Sequence, residues 1–308
     1  MLLSHREISA ARIGAGLATS AILHRCYRVH AVDNRAVVSE DALMLRAFER
    51  RGFVGRPCAT VLLEGTARLS AYDRTEWLDG PRAMLMDFKS AIVMRQQGPR
   101  YRSLVFEWDV PALGERPEPF ADISDSSLFL QAEALWGALR STRDTRADDA
   151  LRAAVAETLA ALRSAGAPLA SLAPEALDEP VDPQCETLSL ALDHALSAMD
   201  DQPMVVDLAD TLALSAGQLQ RIVTAFHERY GFNSGTWQDT RSRRRVMMGA
   251  ALMTVESASA EYVSRVVGYR SPQSFARALQ LAGLPAPAQI RAEIQRFERC
   301  RAEEPAHA

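Results

Sequence analysis

The 308-residue sequence predicts an α+β protein: an antiparallel β-barrel with two helices, followed by an all-α domain that carries two helix-turn-helix motifs. Three observations predict it. Apolar and polar residues alternate with period two from about residue 35 to 110, the period turns helical after the proline-rich stretch 111–119, and one helix pair recurs along the chain. The length suits two domains with their own cores, at 1–175 and 182–297.

In the first half, Ala67, Leu69 and Ala71 alternate with Thr66, Arg68, Ser70 and Tyr72, and Leu104, Phe106 and Trp108 alternate with Ser103, Val105 and Glu107. Both runs read as strands. Breaks at Glu64-Gly65, Asp79-Gly80-Pro81 and Gln97-Gly98-Pro99 supply turns at short intervals, as in a small barrel or sandwich. Leu128, Ala132, Leu135, Trp136 and Leu139 then make one helical stripe, and Leu151, Ala154, Val155, Thr158, Leu159 and Leu162 a second. The second helix suits a dimer contact and packing on its own barrel equally. Residues 166–183 read as a linker ending in Asp182 as N-cap and Pro183 at the first turn of a helix.

Composition excludes several classes. With 48% hydrophobic and 24% charged residues the chain is neither collagen-like nor wholly disordered. Its longest uncharged apolar stretches, 13–23 and 246–255, are too short to span a membrane, and a secretory signal fits poorly, so a cytoplasmic protein is expected. Cys26, Cys58, Cys185 and Cys300 form no C-x-x-C, and the histidines show no metal-ligand spacing, so neither a metal nor a cofactor is expected. The net charge of −4 is unevenly shared: residues 1–203 hold 22 basic and 29 acidic side chains, residues 204–301 hold 13 and 8. A basic segment on an acidic chain fits a phosphate-binding module, and fits a solvated surface as well.

The basic segment holds the repeat. Val205, Leu208, Ala209 and Leu212 share a helical face, and Ser215-x-x-Gln218 is a capping box for the next helix, with Leu214 and Leu219 as its hydrophobic staple. Leu219, Ile222, Val223 and Phe226 then point inward, and Gly217, Arg221, Thr224 and Glu228 outward. Tyr262, Val263, Val266 and Val267 repeat the first helix; Gly268 ends it, and Ser271-Pro272 caps a helix with Phe275, Ala278, Leu279 and Ala282 inward and Gln273, Arg277 and Gln280 outward. The outward offsets from the capping serine coincide, and arginine stands six positions after it in both copies. On a helix lying in the major groove, arginine makes two hydrogen bonds to guanine and glutamine pairs with adenine. Between the copies, residues 234–253 read as a helix of about 20 residues, about 30 Å long, with some of Arg241, Arg243, Arg244 and Arg245 near phosphates.

Gly268-Tyr269-x-Ser271-x-x-Ser274-Phe275-x-Arg277, with Gly283 and Pro287, resembles the second-motif signature of AraC/XylS-type transcription regulators, and the run from Asp207-Leu208-Ala209 to Arg221 resembles their first motif. The resemblance covers about residues 185–292. It implies a seven-helix DNA-binding domain, a cupin-like companion unit that senses a ligand or dimerises, and an activator that contacts promoter DNA and RNA polymerase as a homodimer. It also places base contacts at Gly217, Gln220, Arg221, Gln273 and Arg277, with phosphate contacts near the capping serines. The candidate DNA-binding set is therefore Ser215, Gly217, Gln218, Gln220, Arg221, Thr224, Arg241, Ser271, Gln273, Ser274, Arg277 and Gln280. Gly217 lacks a side chain where many relatives carry a large one, Ser264 replaces the usual alanine, and Arg245 stands where alanine is common.

Two other classes stand beside this reading. A cupin-type enzyme would need a nucleophile–base pair, a phosphate loop or metal ligands, none of which the sequence shows, so no catalytic residue is expected. A protein-interaction module remains open. Met84, Met86, Phe88, Met94, Phe106 and Trp108 suit a core more than a pocket, Arg74, Arg95, Arg100 and Arg102 suit an anion or water, and no effector is named.

Overall fold

The computed structural model describes residues 1–37, 56–71, 74–87, 93–115, 117, 121–142, 146–170, 180–199, 203–230 and 236–294. Three strands open the chain: β1 (Leu2–Ala10), β2 (Ala15–Leu23) and β3 (Tyr27–Arg35). They form a meander that the sequence reading does not anticipate. β2 is almost wholly buried because both its faces are covered, so its sequence reads as one apolar run rather than as an alternation.

β3 pairs with β7 (Val93–Trp108), β7 with β4 (Pro57–Ala71), and β4 with β5 (Arg74–Asp79) and β6 (Arg82–Asp87), which reaches the short β8 (Ala121–Asp122). All these pairs are antiparallel. Among the described residues the ends of this ladder, β1 and β8, do not pair, so the sheet is open where the sequence, whose turn spacing fits a barrel or a sandwich, predicts a barrel. The edge at β1 is satisfied by a helix instead. The His5 N–H donates to Asp193 Oδ2 at 2.7 Å and the Glu7 N–H to Ser197 Oγ at 3.3 Å, which occupies alternate donors of an edge strand.

Two of the three predicted turns are absorbed into strands. Glu64 pairs with Arg102 and Thr66 with Gln97, so Gly65 and the Gly98-Pro99 stretch lie at a bulge in the long β4–β7 pair. Such a bulge bends the ladder. Gly65 has φ +98, and a Cβ there would stand 2.6 Å from the Arg100 carbonyl oxygen. The Asp79-Gly80-Pro81 break does join β5 to β6.

One face of the sheet, with Tyr27, Val29, Ala59, Val61, Leu104, Phe106 and Trp108, packs on α1 (Ser126–Ser141) and α2 (Asp149–Ser164). Leu151, Val155, Leu159 and Leu162 of α2 are buried in that core, and the helix packs against α1, which lies on the sheet. Met84 and Met86 lie in a smaller cluster with Cys58, Leu62 and Tyr101, and Phe106 and Trp108 in the main core; the side chains of Leu69, Ala71, Phe88 and Met94 are outside the described residues.

After the linker, of which 171–179 lie outside the described residues, come α3 (Pro183–Ser197), α4 (Val205–Thr211), α5 (Ala216–Tyr230), α6 (Trp237–Leu252), α7 (Ala260–Val266) and α8 (Pro272–Leu281). Residues 287–294 are also helical. Asp182 caps α3 by accepting from the Gln184 N–H, with Pro183 in the first turn. α6 has 16 residues, from a Thr236 cap that accepts from the Asp239 N–H. That is shorter than the sequence pattern predicts, about 24 Å at 1.5 Å per residue, and residues 234–235 are outside the described set. No helix among the described residues is long and apolar enough to cross a membrane.

The helices share two cores with the first hairpin. Leu2, Ala21 and Leu23 join Leu188, Leu192, Leu219, Val223, Phe226 and Trp237. Ile8, Ala10, Ala15 and Leu17 join Met248, Leu252, Val263, Val267, Phe275 and Leu279.

Candidate nucleic-acid interface

The two helix pairs are built alike. In the first, the Ala213 N–H donates to Asp210 O at 3.0 Å and the Leu214 N–H to Ala209 O at 2.8 Å; in the second, Gly268 donates to Arg265 O at 2.9 Å and Tyr269 to Ser264 O at 2.7 Å. Each first helix therefore ends on a left-handed residue, Ala213 with φ 51 and Gly268 with φ 77, in the hydrogen-bond pattern of a glycine-type C-cap. The second turn is one residue longer, by Arg270, which is exposed beside the cap of α8.

Both second helices start in reciprocal caps. Gln218 N–H donates to Ser215 Oγ at 3.2 Å while Ser215 N–H donates to Gln218 Oε1 at 2.9 Å. Ser274 N–H donates to Ser271 Oγ and Ser271 N–H to Ser274 Oγ, each at 3.2 Å. These caps fix the register of each helix. Leu219, Val223 and Phe226 of α5, and Phe275 and Leu279 of α8, are buried, with Ile222 and Ala278 half-buried.

On the opposite faces Gly217, Gln218, Arg221, Gln273, Ser274, Arg277 and Gln280 are exposed, as is Ser215; Gln220, Thr224 and Ser271 are half-exposed. Neither Arg221 nor Arg277 bonds to a protein group among the described residues. Gln220 turns sideways along its helix and donates to Thr224 Oγ1 at 3.2 Å. Gly217 has nothing within 4 Å of where a Cβ would stand, so packing does not demand glycine there.

Arg241 departs from this surface. It is buried at 9% exposure, and its Nη1 donates to the Pro203 carbonyl at 3.3 Å and touches Met204 Sδ at 3.0 Å. A guanidinium spent on a carbonyl inside the domain does not present itself to a phosphate. Arg245 Nε donates to the Val267 carbonyl at 2.7 Å and its guanidinium lies 4.2 Å over the Tyr269 ring. Burial lowers Arg244 to about 9, with Arg6 adding to the fall and Asp193 opposing it. The sequence shows the charge of this run but not its direction, because each partner lies far away in the chain.

The sheet holds charge of its own. Arg100 donates twice to Asp33 at 3.1 Å, and Arg102 to Glu64 at 2.6 Å and to Glu133 at 3.0 Å. Their charge is thus met by carboxylates of the protein; the side chains of Arg74 and Arg95 are outside the described residues. Desolvation holds His30 at about 4, against the pull of Glu107, so this imidazole is neutral near pH 7.

No family model matches the chain, and no curated relative does. Solved structures similar to it include the AraC-like transcriptional activator CuxR, at 12% identity, TM-score 0.38 and coverage of 80% of this chain and 86% of that one. Another is ToxT from Vibrio cholerae, at 7% identity, TM-score 0.34 and coverage of 86% and 98%. A third is the C-terminal domain of the two-component response regulator yesN from Fusobacterium nucleatum subsp. nucleatum ATCC 25586, at 20% identity, TM-score 0.30 and coverage of 36% and 99%.

Proposed function

We propose that the chain is a sequence-specific DNA-binding transcription regulator of the AraC/XylS type rather than an enzyme. Residues 182–297 are its DNA-binding part and residues 1–175 its cupin-like sensing or dimerising part. One observation carries the reading: Arg221 and Arg277 stand six residues after equivalent capped serines, on the exposed faces of two like helices, unpaired among the described residues. That is the presentation needed for bidentate contact with guanine. Gln273 and Gln280 flank Arg277 and suit adenine; Ser215, Ser271 and Ser274, at helix N-termini, suit phosphates. Gly217 leaves the first helix poorer in reading groups, so the second carries more of the sequence preference.

In this reading the protein works in the cytoplasm as a homodimeric activator, contacts RNA polymerase at the promoter, and answers to a small molecule through its sheet. Selection of bound sequences from a random DNA pool, followed by Arg277→Ala, tests it. The variant is expected to lose about 1–3 kcal/mol on the selected site and to relax one base position. An equal loss on selected and random DNA removes the base-reading role.

A further inference from the structure

α6 runs between the two helix pairs and belongs to both cores: Trp237 at its start sits with α3 and α5, and Met248 and Leu252 near its end sit with α7 and α8. At the crossing stand Arg241 and Arg245, four positions apart and hence on one side of the helix. Each reaches a carbonyl that borders a different pair. Arg241 Nη1 donates to Pro203 O, just before α4, which also accepts from Trp237 Nε1 at 3.0 Å. Arg245 Nε donates to Val267 O at 2.7 Å, at the end of α7, and its guanidinium covers the Tyr269 ring in the turn leading to α8. The turn is closely backed, since a Cβ on Gly268 would fall 2.2 Å from the Met199 carbonyl oxygen and 3.0 Å from Arg245 Nη2.

We propose that Arg241 and Arg245 are positioning residues: each ties α6 to one helix pair, and together they set the separation and angle between α5 and α8. A guanidinium suits the task because it donates in a fixed plane and stacks on a ring at once, which an ammonium does not. Arg241 is buried, so removing it strips a bond from Pro203 without touching the exposed faces of α5 and α8. The consequence for DNA rests on the function proposed above: two base-reading helices held at a fixed separation accept one spacing of half-sites.

Two readouts separate the inference from that function. The first needs no DNA. In the full chain with its native cysteines replaced, spin labels at Glu228 and Leu281, both exposed, report the α5–α8 distance distribution by pulsed electron resonance. A single narrow peak is expected for the parent and a broadened or displaced one for Arg245→Met, Arg245→Lys and Arg241→Met. The lysine variant keeps the charge and covers the case in which a methionine variant does not fold. An unchanged distribution in every folded variant overturns the proposal.

The second readout uses the selected operator. Inserting base pairs between its half-sites is expected to weaken the parent about tenfold or more and the charge-removing Arg245→Met about threefold or less, with the same salt slope in both. A variant with parental spacing preference and a salt slope reduced by about one is a phosphate contact, and overturns the positioning role. If the parent selects no sequence at all, the DNA-binding reading fails, while the distance measurement still decides whether the two arginines position the helices.

Discussion

At the scale of single residues, the two C-caps differ in one atom that matters. Gly268 occupies its left-handed conformation freely, whereas Ala213 holds φ 51 with a Cβ, in a region that costs an L-residue about 1–2 kcal/mol. Ala213 is exposed, and its N–H already bonds to Asp210, so the strain is backbone strain and not a packing defect. Ala213→Gly is expected to stabilise the protein by about 0.5–1 kcal/mol, the relief less the added entropy of glycine in the unfolded chain. Urea unfolding measures it, and a destabilised variant would contradict the strain. The outward stations of Arg221 and Arg277 are legible in sequence because a capping box announces where a helix starts and 100° per residue does the rest. Arg241, Arg244 and Arg245 are not legible in this way. Their directions depend on Pro203, Asp193 and Val267, which periodicity does not connect to them.

Among elements, the legible ones bury one side only: α1, α2, α5 and α8 show their stripes, and the structure holds those residues in its cores. β2, covered on both faces, shows no alternation, and β4 and β7 pass through turn-like sequences by bulging instead of ending. The contact between α6 and α8 depends on a residue that carries no periodic signal. Gly249 of α6 lies against Phe275 of α8; a Cβ on it would stand 2.5 Å from Phe275 Cε2 and 2.8 Å from Cζ. Phe275 is itself fully buried and has little room to withdraw. Gly249→Ala should therefore cost about 1–3 kcal/mol by overpacking, although alanine is the better helix former by about 1 kcal/mol. A variant as stable as the parent in chemical denaturation would mean that the ring swings aside.

For the molecule as a whole, the division into sheet and helical halves read from the sequence omits their shared interior, in which the β1–β2 hairpin completes both helical cores. The junction is also electrostatic. Asp193 of α3 accepts from Ser4 Oγ at 2.8 Å, the His5 N–H at 2.7 Å and Arg6 Nε at 2.8 Å. Arg244 lies close enough to feel both Arg6 and Asp193, and its Nε has no hydrogen-bond partner among the described residues. One carboxylate thus bonds to one guanidinium group and offsets the charge of a second where solvent is scarce; Asp193 has only 12% of its side chain exposed and Arg6 19%. Taking it away leaves two like charges without their shared counter-charge and three donors without their acceptor, so Asp193→Ala is expected to cost about 3–5 kcal/mol. Arg244→Met in the same chain should recover part of that loss, because it removes one of the opposed charges and leaves an apolar stem in its place. Since the hairpin belongs to both halves, the loss should appear in both. Hydrogen exchange followed along the chain should show α3–α8 and the β1–β3 meander opening together in the parent and losing protection together in Asp193→Ala. Protection lost from one half alone, or no recovery in the double variant, would show that the two halves are stable independently and that the carboxylate does not join them.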